Sequence, residues 1–518
     1  MKLNYKRTLL CGFAFFAITA FWQAYDATIP VILTNKFGMS QTWSGAIMAL
    51  DNVLAVFLLP LFGAISDKHN GKRGKRTPFI LVGTILAAVI LMGLSVVDNA
   101  QLKNISEVSK IDDPAALSVI YDAQSERQLR TPDGKEFVLS EVFESKEDFT
   151  AVRSTYLDEN GKEEINPLYT NYVAPARQAY VAEKTSENST ELILFVVLLF
   201  ALLVSMSIFR SPAVALMPDI TVKPLRSKAN AIINLMGTAG GIIVLVLGMV
   251  FATSAVKNQL MNYTVYYGVI AGVMLVSLII FLLTVKEKKW AEEMRADSIK
   301  YGIEEEAEAD SEKKKLTKSE KTSLIFILLS VAFWYFGYNA VTSKYAVYAT
   351  NVLNKDYNMT MMLAQIFAIV AYLPAGMIAS KIGRKKTIIG GVIMLTTAFT
   401  AASFMNASSP AMLMNVMFAL AGIGWATINV NSFPMAVEMC SGGDIGKYTG
   451  YYYTASMAAQ IITPIFSGIL MDSIADTALF PYAAVFSGLA IVTMLFVKHG
   501  DSKFEAKKSI LENLSVDD

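Results

Sequence analysis

A basic, glycine-punctuated turn occurs twice in this chain, each time directly after an apolar stretch long enough to cross a membrane. The first copy is Gly63-Ala64-Ile65-Ser66-Asp67-Lys68, continuing through Gly71-Lys72-Arg73-Gly74-Lys75-Arg76. The second is Gly376-Met377-Ile378-Ala379-Ser380-Lys381-Ile382-Gly383-Arg384-Lys385-Lys386. Glycines let two helices turn sharply and approach closely, and a Lys/Arg cluster holds the turn on the cytoplasmic side of a bilayer. A duplicated turn of this kind predicts a duplicated membrane domain. Composition agrees: 54% of the 518 residues are hydrophobic and only 17% charged, too apolar for a soluble protein of this size.

Hydropathy predicts twelve spans, near residues 9–33, 43–65, 77–97, 191–216, 229–254, 264–285, 322–342, 359–380, 387–405, 411–433, 448–472 and 480–498. They are called spans 1 to 12 below. Span 1 is too long and too polar inside to read as a cleaved signal peptide. Lys and Arg crowd the short loops on one side, which predicts that both termini are cytoplasmic in a multi-pass plasma-membrane protein. The expected organisation is a six-helix bundle over 1–285, a mixed-charge cytoplasmic linker over 286–321, a second bundle over 322–500 and a tail over 501–518. Residues 98–190 form an acidic insertion between spans 3 and 4 on the outside, long enough for a small subdomain. Sequons at Asn104, Asn188, Asn262, Asn358 and Asn406 all fall in predicted external loops. Cys11 and Cys440 are the only cysteines and imply neither a disulfide nor a metal site.

The repeat extends beyond the turn. Aligning Asp219 with Glu438 (438 − 219 = 219) also aligns Ala239-Gly240-Gly241 with Ala458-Ala459-Gln460 and Lys228 with Lys447. Spans 5 and 11 are therefore cognate, as are spans 2 and 8. The predicted fold is all-α, with twelve transmembrane helices in two pseudo-symmetric six-helix bundles, the major facilitator fold, and the solute passes between the bundles.

Leu59-Pro60-Leu61-Phe62-Gly63-Ala64-Ile65-Ser66-Asp67, followed by Gly74-Lys75-Arg76-Thr77-Pro78-Phe79-Ile80, resembles the signature of the sucrose/proton symporters. These are relatives of the glycoside-pentoside-hexuronide:cation symporters. The resemblance continues through Met217-Pro218-Asp219, Arg226 to Ala231, Ser432-Phe433-Pro434 and Gly450 to Gln460, and it leaves out the insertion. In one place the chain departs from that pattern. The family's span 4 arginine would fall at Val214, and the nearest here is Arg210, one turn earlier. The resemblance implies symport of a sugar or glycoside.

Charge inside a bilayer is costly, roughly 2.5–3.5 kcal/mol per Asp on insertion scales, so Asp26 and Asp51 are the candidate cation-coupling residues. They sit at similar depth on consecutive spans, where a shared site would bind a proton or Na+. Trp22, Gln23 and Tyr25 beside Asp26 suit a polyhydroxylated solute, aromatic faces stacking on the ring and polar groups meeting hydroxyls. Span 7 offers Trp334, Tyr335, Tyr338 and Asn339, and an interfacial aromatic belt explains those rings equally well. Asn429, Asn431 and Gln460 are amides at mid-bilayer depth, suited to ligand or to interhelical hydrogen bonds.

Gly63, Asp67, Arg73 and Arg76 of the first turn, with Arg210, Asp219, Arg226, Arg384 and Glu438, read as gating residues, a salt-bridged latch that forms and breaks with the transport cycle. Arg210 is expected near the inner end of span 4, its side chain reaching the headgroups. Ser380 replaces the acid of the first turn, so the second latch should be weaker. His69 and His499 lie in polar loops, and no phosphate loop, zinc-ligand spacing or nucleophile elbow is present, so neither an enzyme nor an ATP-driven pump is expected.

The expected partners are a small-molecule solute, a sugar, and the lipid bilayer, with no nucleic acid, no cofactor beyond the coupling ion H+ or Na+, and a functional monomer. The alternatives are transport or export of another small polar or amphipathic metabolite, and a membrane sensor of the same fold that transports nothing.

Overall fold

A computed structural model describes residues 3–157, 161, 163–222, 225–300, 316–437, 439 and 445–500. Twelve long helices account for the predicted spans: Tyr5–Asn35, Gln41–Lys68, Thr77–Asn104, Thr190–Ile220, Arg226–Val250, Thr264–Thr284, Lys318–Tyr348, Tyr357–Ile382, Arg384–Ser403, Ala411–Val437, Ile445–Ser473 and Leu479–Leu495. Eleven are long and apolar enough to cross a membrane, and the twelfth, span 8, contains the apolar stretch Tyr357–Tyr372. Their starts are fixed by side chains that take up the free N–H groups of the first turn. The Ser40 hydroxyl accepts from the Trp43 N–H, Asp356 accepts from the Asn358 N–H, and Thr317 with Glu320 forms a reciprocal capping box. Large apolar side chains such as Phe57, Val89, Val96, Val250 and Leu283 point outward, as helices bathed in lipid require.

The buried apolar side chains fall into three groups. One fills spans 1 to 6, a second fills spans 7 to 12 and takes in Ala27 and Val31 of span 1, and a third belongs to the insertion. The insertion is thus a small subdomain with its own core, built on Leu117, Ile120, Leu139, Phe149, Tyr169 and Val173. It contains helices Pro114–Gln124 and Ala174–Glu187 and two short antiparallel hairpins, Leu129–Arg130 with Glu136–Phe137 and Thr155–Leu157 with Glu163–Ile165. Residues 158–160, between the strands of the second hairpin, lie outside the described residues. In the connection between the bundles, helix Glu287–Lys300 docks Trp290 into the first core, and Arg7 lies over that ring while pairing with Glu293.

The two bundles meet at the face that carries the insertion. Span 2 lies on span 11 and span 5 on span 8, and small residues set the approach. A Cβ on Gly468 would stand 2.4 Å from the Gln41 carbonyl oxygen, and one on Gly248 would stand 2.2 Å from Asn358 Oδ1. Gly248 and Gly468 are cognate under the internal repeat to within one residue, so the two contacts are images of each other. Polar bonds finish the seal. Asp472 accepts from the Gln41 and Thr42 N–H groups at 2.8 Å each, Asn351 Nδ2 donates to Asn35 Oδ1 at 3.1 Å, and Ser254 donates to Asp356 at 2.7 Å. Toward the other end, which carries the termini, span 2 is much less covered: its buried residues are confined to Gln41–Ala49 and to Ser66.

A leucine at Gly468 or Gly248 should therefore keep this face from closing. We expect Asn351→Cys, placed in a background lacking the native cysteines, to react with a membrane-impermeant maleimide several-fold faster when combined with Gly468→Leu. Equal labelling rates would show that the glycines do not set the closure.

Candidate functional site

Asp26 lies nine residues before the end of span 1 at Asn35, about 14 Å of helix rise, and Asp51 lies ten residues after the start of span 2, about 15 Å. Both therefore fall near the middle of a hydrocarbon layer about 30 Å thick. They line one cavity of about 240 Å³ between the bundles, with Trp22, Asn52 and Arg210 from the first bundle and Asn339, Thr342 and Gln460 from the second. Six residues singled out in the sequence thus converge: Trp22, Asp26, Asp51, Arg210, Asn339 and Gln460.

The cavity is polar and incompletely satisfied. Trp22 Nε1 and Asn339 Nδ2 are buried donors without a hydrogen-bond partner, a condition that favours a bound polar solute or water. Asp51 Oδ1 accepts from the Asn52 amide at 2.6 Å, whereas Asp26 pairs with no described side chain. Arg210 differs from the sequence expectation. It does not run to the headgroups but turns into the cavity, with its guanidinium carbon 6.0 Å from the centre of the Trp22 ring. A cation over an indole face, beside two carboxylates, is held better there than at the lipid boundary.

Other candidates go elsewhere. The Tyr25 ring packs in the first bundle's core against Phe21 and the cavity-lining Trp22; its buried hydroxyl has no hydrogen-bond partner and lies near Asp26 and Asp51, although Tyr25 is not among the residues that line the cavity. Gln23 is buried and accepts from Gln365 Nε2 of span 8 at 2.6 Å, a bond between the bundles and not a cavity contact. Asn431 donates to the carbonyl of Thr427 one turn earlier at 2.9 Å, Asn429 is half-buried, and neither is among the residues that line the cavity. Tyr338 stacks on Trp425 with ring centres 3.6 Å apart and planes 3° from parallel, while Tyr335 meets the same indole edge-on. Trp334 is fully buried in the second core. Trp425 had no flag in the sequence; its spacing from Asn429 on one helix face was the available signal.

At the end bearing the termini, Arg76 gathers the first basic turn. It is buried, pairs with Asp67, donates through Nε to Asp219 at 2.8 Å, and reaches Ser66 Oγ and the Gly63 carbonyl. Its backbone N–H, with those of Lys75 and Thr77, donates to the Glu287 carboxylate at 2.6–2.8 Å. Glu287 is the acid that the sequence reading missed: it caps span 3 from the far side of span 6. Arg226 closes the end of span 4 by donating to the Thr221 and Pro218 carbonyls. Arg73 is exposed, and Arg384 is buried at the start of span 9, after Gly383 at φ +95°. Glu438 lies outside the described residues, as does the side chain of Ser380.

A family profile described as Major Facilitator Superfamily matches residues 180–371 and 345–513, more than half of the chain. The chain belongs to the Major Facilitator Superfamily. A second profile, described as MFS/sugar transport protein, matches residues 10–101. The MFS-type transporter ppzB of Metarhizium rileyi is 24% identical over 140 residues, which span 27% of this chain and 28% of that protein. Among solved structures, the inward-open xylose transporter XylE from E. coli aligns over 98% of both chains at 13% identity and a TM-score of 0.55. A POT family transporter in complex with 5-aminolevulinic acid aligns over 94% of both at 10% identity and a TM-score of 0.56. As a member of this superfamily the protein is a secondary transporter and not an enzyme.

In this transporter the Glu287 cap makes a separable prediction. Glu287→Ala leaves three backbone N–H groups at the start of span 3 without an acceptor, a loss of about 1–3 kcal/mol for each one that stays buried and dry. The variant should melt at lower temperature in detergent, with Glu287→Gln in between. A melting temperature equal to that of the parent would mean that water replaces the carboxylate.

Proposed function

We propose that this transporter couples uptake of a sugar or glycoside to a cation, H+ or Na+, by alternating access between its two bundles. The observation that carries the reading is the shared cavity: two carboxylates, one guanidinium, an indole face and three amides between the bundles. With both aspartates ionised, Asp26, Asp51 and Arg210 sum to one negative charge. One bound cation makes the cavity neutral, and a neutral, solute-filled cavity crosses the low-dielectric interior at less cost than a charged one. Asp26, which pairs with no described group, is the site for that cation; Asp51 and Arg210 set the field around it.

Solute recognition falls to Trp22, Asn339 and Gln460. The indole offers an apolar face for a sugar ring, and its unpartnered N–H, like the Asn339 amide, offers a donor to a hydroxyl. The match of residues 10–101 to the profile described as MFS/sugar transport protein covers Trp22, Asp26 and Asp51 and supports the same solute class. The excess of Lys and Arg in the loops at the terminus end supports a cytoplasmic placement of both termini in the plasma membrane. With that orientation the closed insertion face is external, and the structure is the inward-facing state of a transporter that works as a monomer.

Reconstituted protein should accumulate a labelled sugar from a mono- and disaccharide panel only under an imposed H+ or Na+ gradient. Asp26→Asn keeps the side chain's size and removes its charge, so it should abolish accumulation while leaving counterflow exchange measurable. Asp51→Asn should do the same only if both carboxylates hold the ion. Accumulation at the parent level in both variants, at equal reconstitution, would sink the coupling role. Asn339→Leu should raise KM at least tenfold with little change in expression.

A further inference from the structure

A second pocket, of about 190 Å³, lies under the insertion on the far side of the closed seal. Its walls come from three parts of the chain: Asn35 and Gln41 of the first bundle, Asn351 and Asp472 of the second, and Arg177 and Gln178 of the insertion. It shares no lining residue with the central cavity. The Asn35–Asn351 hydrogen bond borders it on the side of the seal.

The pocket is lined by buried polar atoms that have no partner in the protein. Gln41 and Arg177 are 5% and 4% exposed, and Gln41 Oε1 and Arg177 Nε have no hydrogen-bond partner; Asn35 Nδ2 also lacks one. The formal charges around it cancel, Asp472 and Asp476 against Arg130 and Arg177, and all but Asp476 are already hydrogen-bonded. Asp472 accepts two backbone N–H groups, Arg130 donates to the Asp472 and Ser473 carbonyls, and the two terminal nitrogens of Arg177 donate to the Tyr169 hydroxyl and the Ile111 carbonyl. What remains open is the Gln41 carbonyl and the Asp476 carboxylate beside the N–H donors of Asn35 and Arg177. An anion would complete the donors and face Gln41 Oε1, Asp472 and Asp476; a cation would meet Arg130 and Arg177. A hydroxyl donates and accepts through one atom, so neighbouring hydroxyls complete both kinds of valence.

We propose that this pocket is a second solute site, for a neutral polyhydroxylated molecule of the class that the central cavity is proposed to carry. The solute class rests on that earlier reading; the site rests on its own geometry. Because its walls belong to both bundles, the pocket exists only while the insertion face is closed, and an occupant stabilises that closed state.

Equilibrium dialysis of the full-length protein in lipid nanodiscs against radiolabelled sucrose, D-xylose and methyl β-D-glucoside tests it. Ala174 lines the pocket, and Ala174→Trp fills it with an indole. That variant should lose one bound molecule per chain of at least one of these probes. Gln178→Leu, which leaves the insertion's core intact, should weaken the same molecule several-fold. Asn339→Leu should remove a different molecule, the one in the central cavity. If Ala174→Trp and Gln178→Leu both retain the parent's stoichiometry and affinity, including the case in which no probe binds at all, the site is overturned. If they lose a molecule and Asn339→Leu loses none, the pocket stands and the sugar reading of the central cavity falls.

Discussion

Two carboxylates and a guanidinium near the middle of a bilayer can be tolerated only if they share one wet cavity, and that requirement organises the rest of this transporter. Asp26 and Asp51 come from consecutive spans, Arg210 from the fourth, and Asn339 and Gln460 from the opposite bundle. No one helix could hydrate these groups. The bundles must part enough to admit water between them, yet stay in register so that amides of one face acids of the other. The cavity is thus both the reason for the two-bundle division and its product.

Closure on one side follows from residue size. Where span 2 crosses span 11 and span 5 crosses span 8, Gly468 and Gly248 let backbones and side chains approach to distances that no Cβ would permit. The polar seal that follows is made largely of main-chain groups: Asp472 takes the first N–H groups of span 2, and Lys344 donates to the Gln41 carbonyl. A helix start always leaves N–H groups unpaired. Here the opposite bundle supplies the acceptor, so the cap of a helix doubles as the lock of a gate.

The twelve spans and the repeat were legible in the sequence because apolar length and the basic turn are local signals. So were Asp26 and Asp51 as charged residues of one cavity, since charge in an apolar run stands out. What escaped depended on side-chain direction or distant partners. Arg210 reads equally well as a headgroup contact, and only packing turns it inward over Trp22. Tyr25 and Asn431 carry the same polar flags as their cavity-lining neighbours, but the Tyr25 ring packs against Phe21 and an Asn431 N–H bonds its own backbone. Glu287 was hidden because a cap that acts across more than 200 residues of sequence has no local signature.

The insertion was legible as a folded piece but not as a part of the gate. Its helix Ala174–Glu187 packs Ala182 against Gly38, beside the loop that joins spans 1 and 2, and Gln101 and Thr185 flank the buried Lys36–Asp98 ion pair. Those contacts fix it to the first bundle. Across the seal, Arg130 donates to the carbonyls of Asp472 and Ser473, Asn354 donates to Thr170, and Pro132 accepts from the Thr477 N–H. The second set holds no ion pair, and its Arg130 bonds are exposed to solvent, although Thr170 is buried. Exposed bonds of that kind exchange for water at little net cost, so parting the insertion from the second bundle would cost less than parting it from the first. The insertion is thus anchored to the first bundle by buried contacts and an adjacent ion pair, and joined to the second in part by bonds that water can replace.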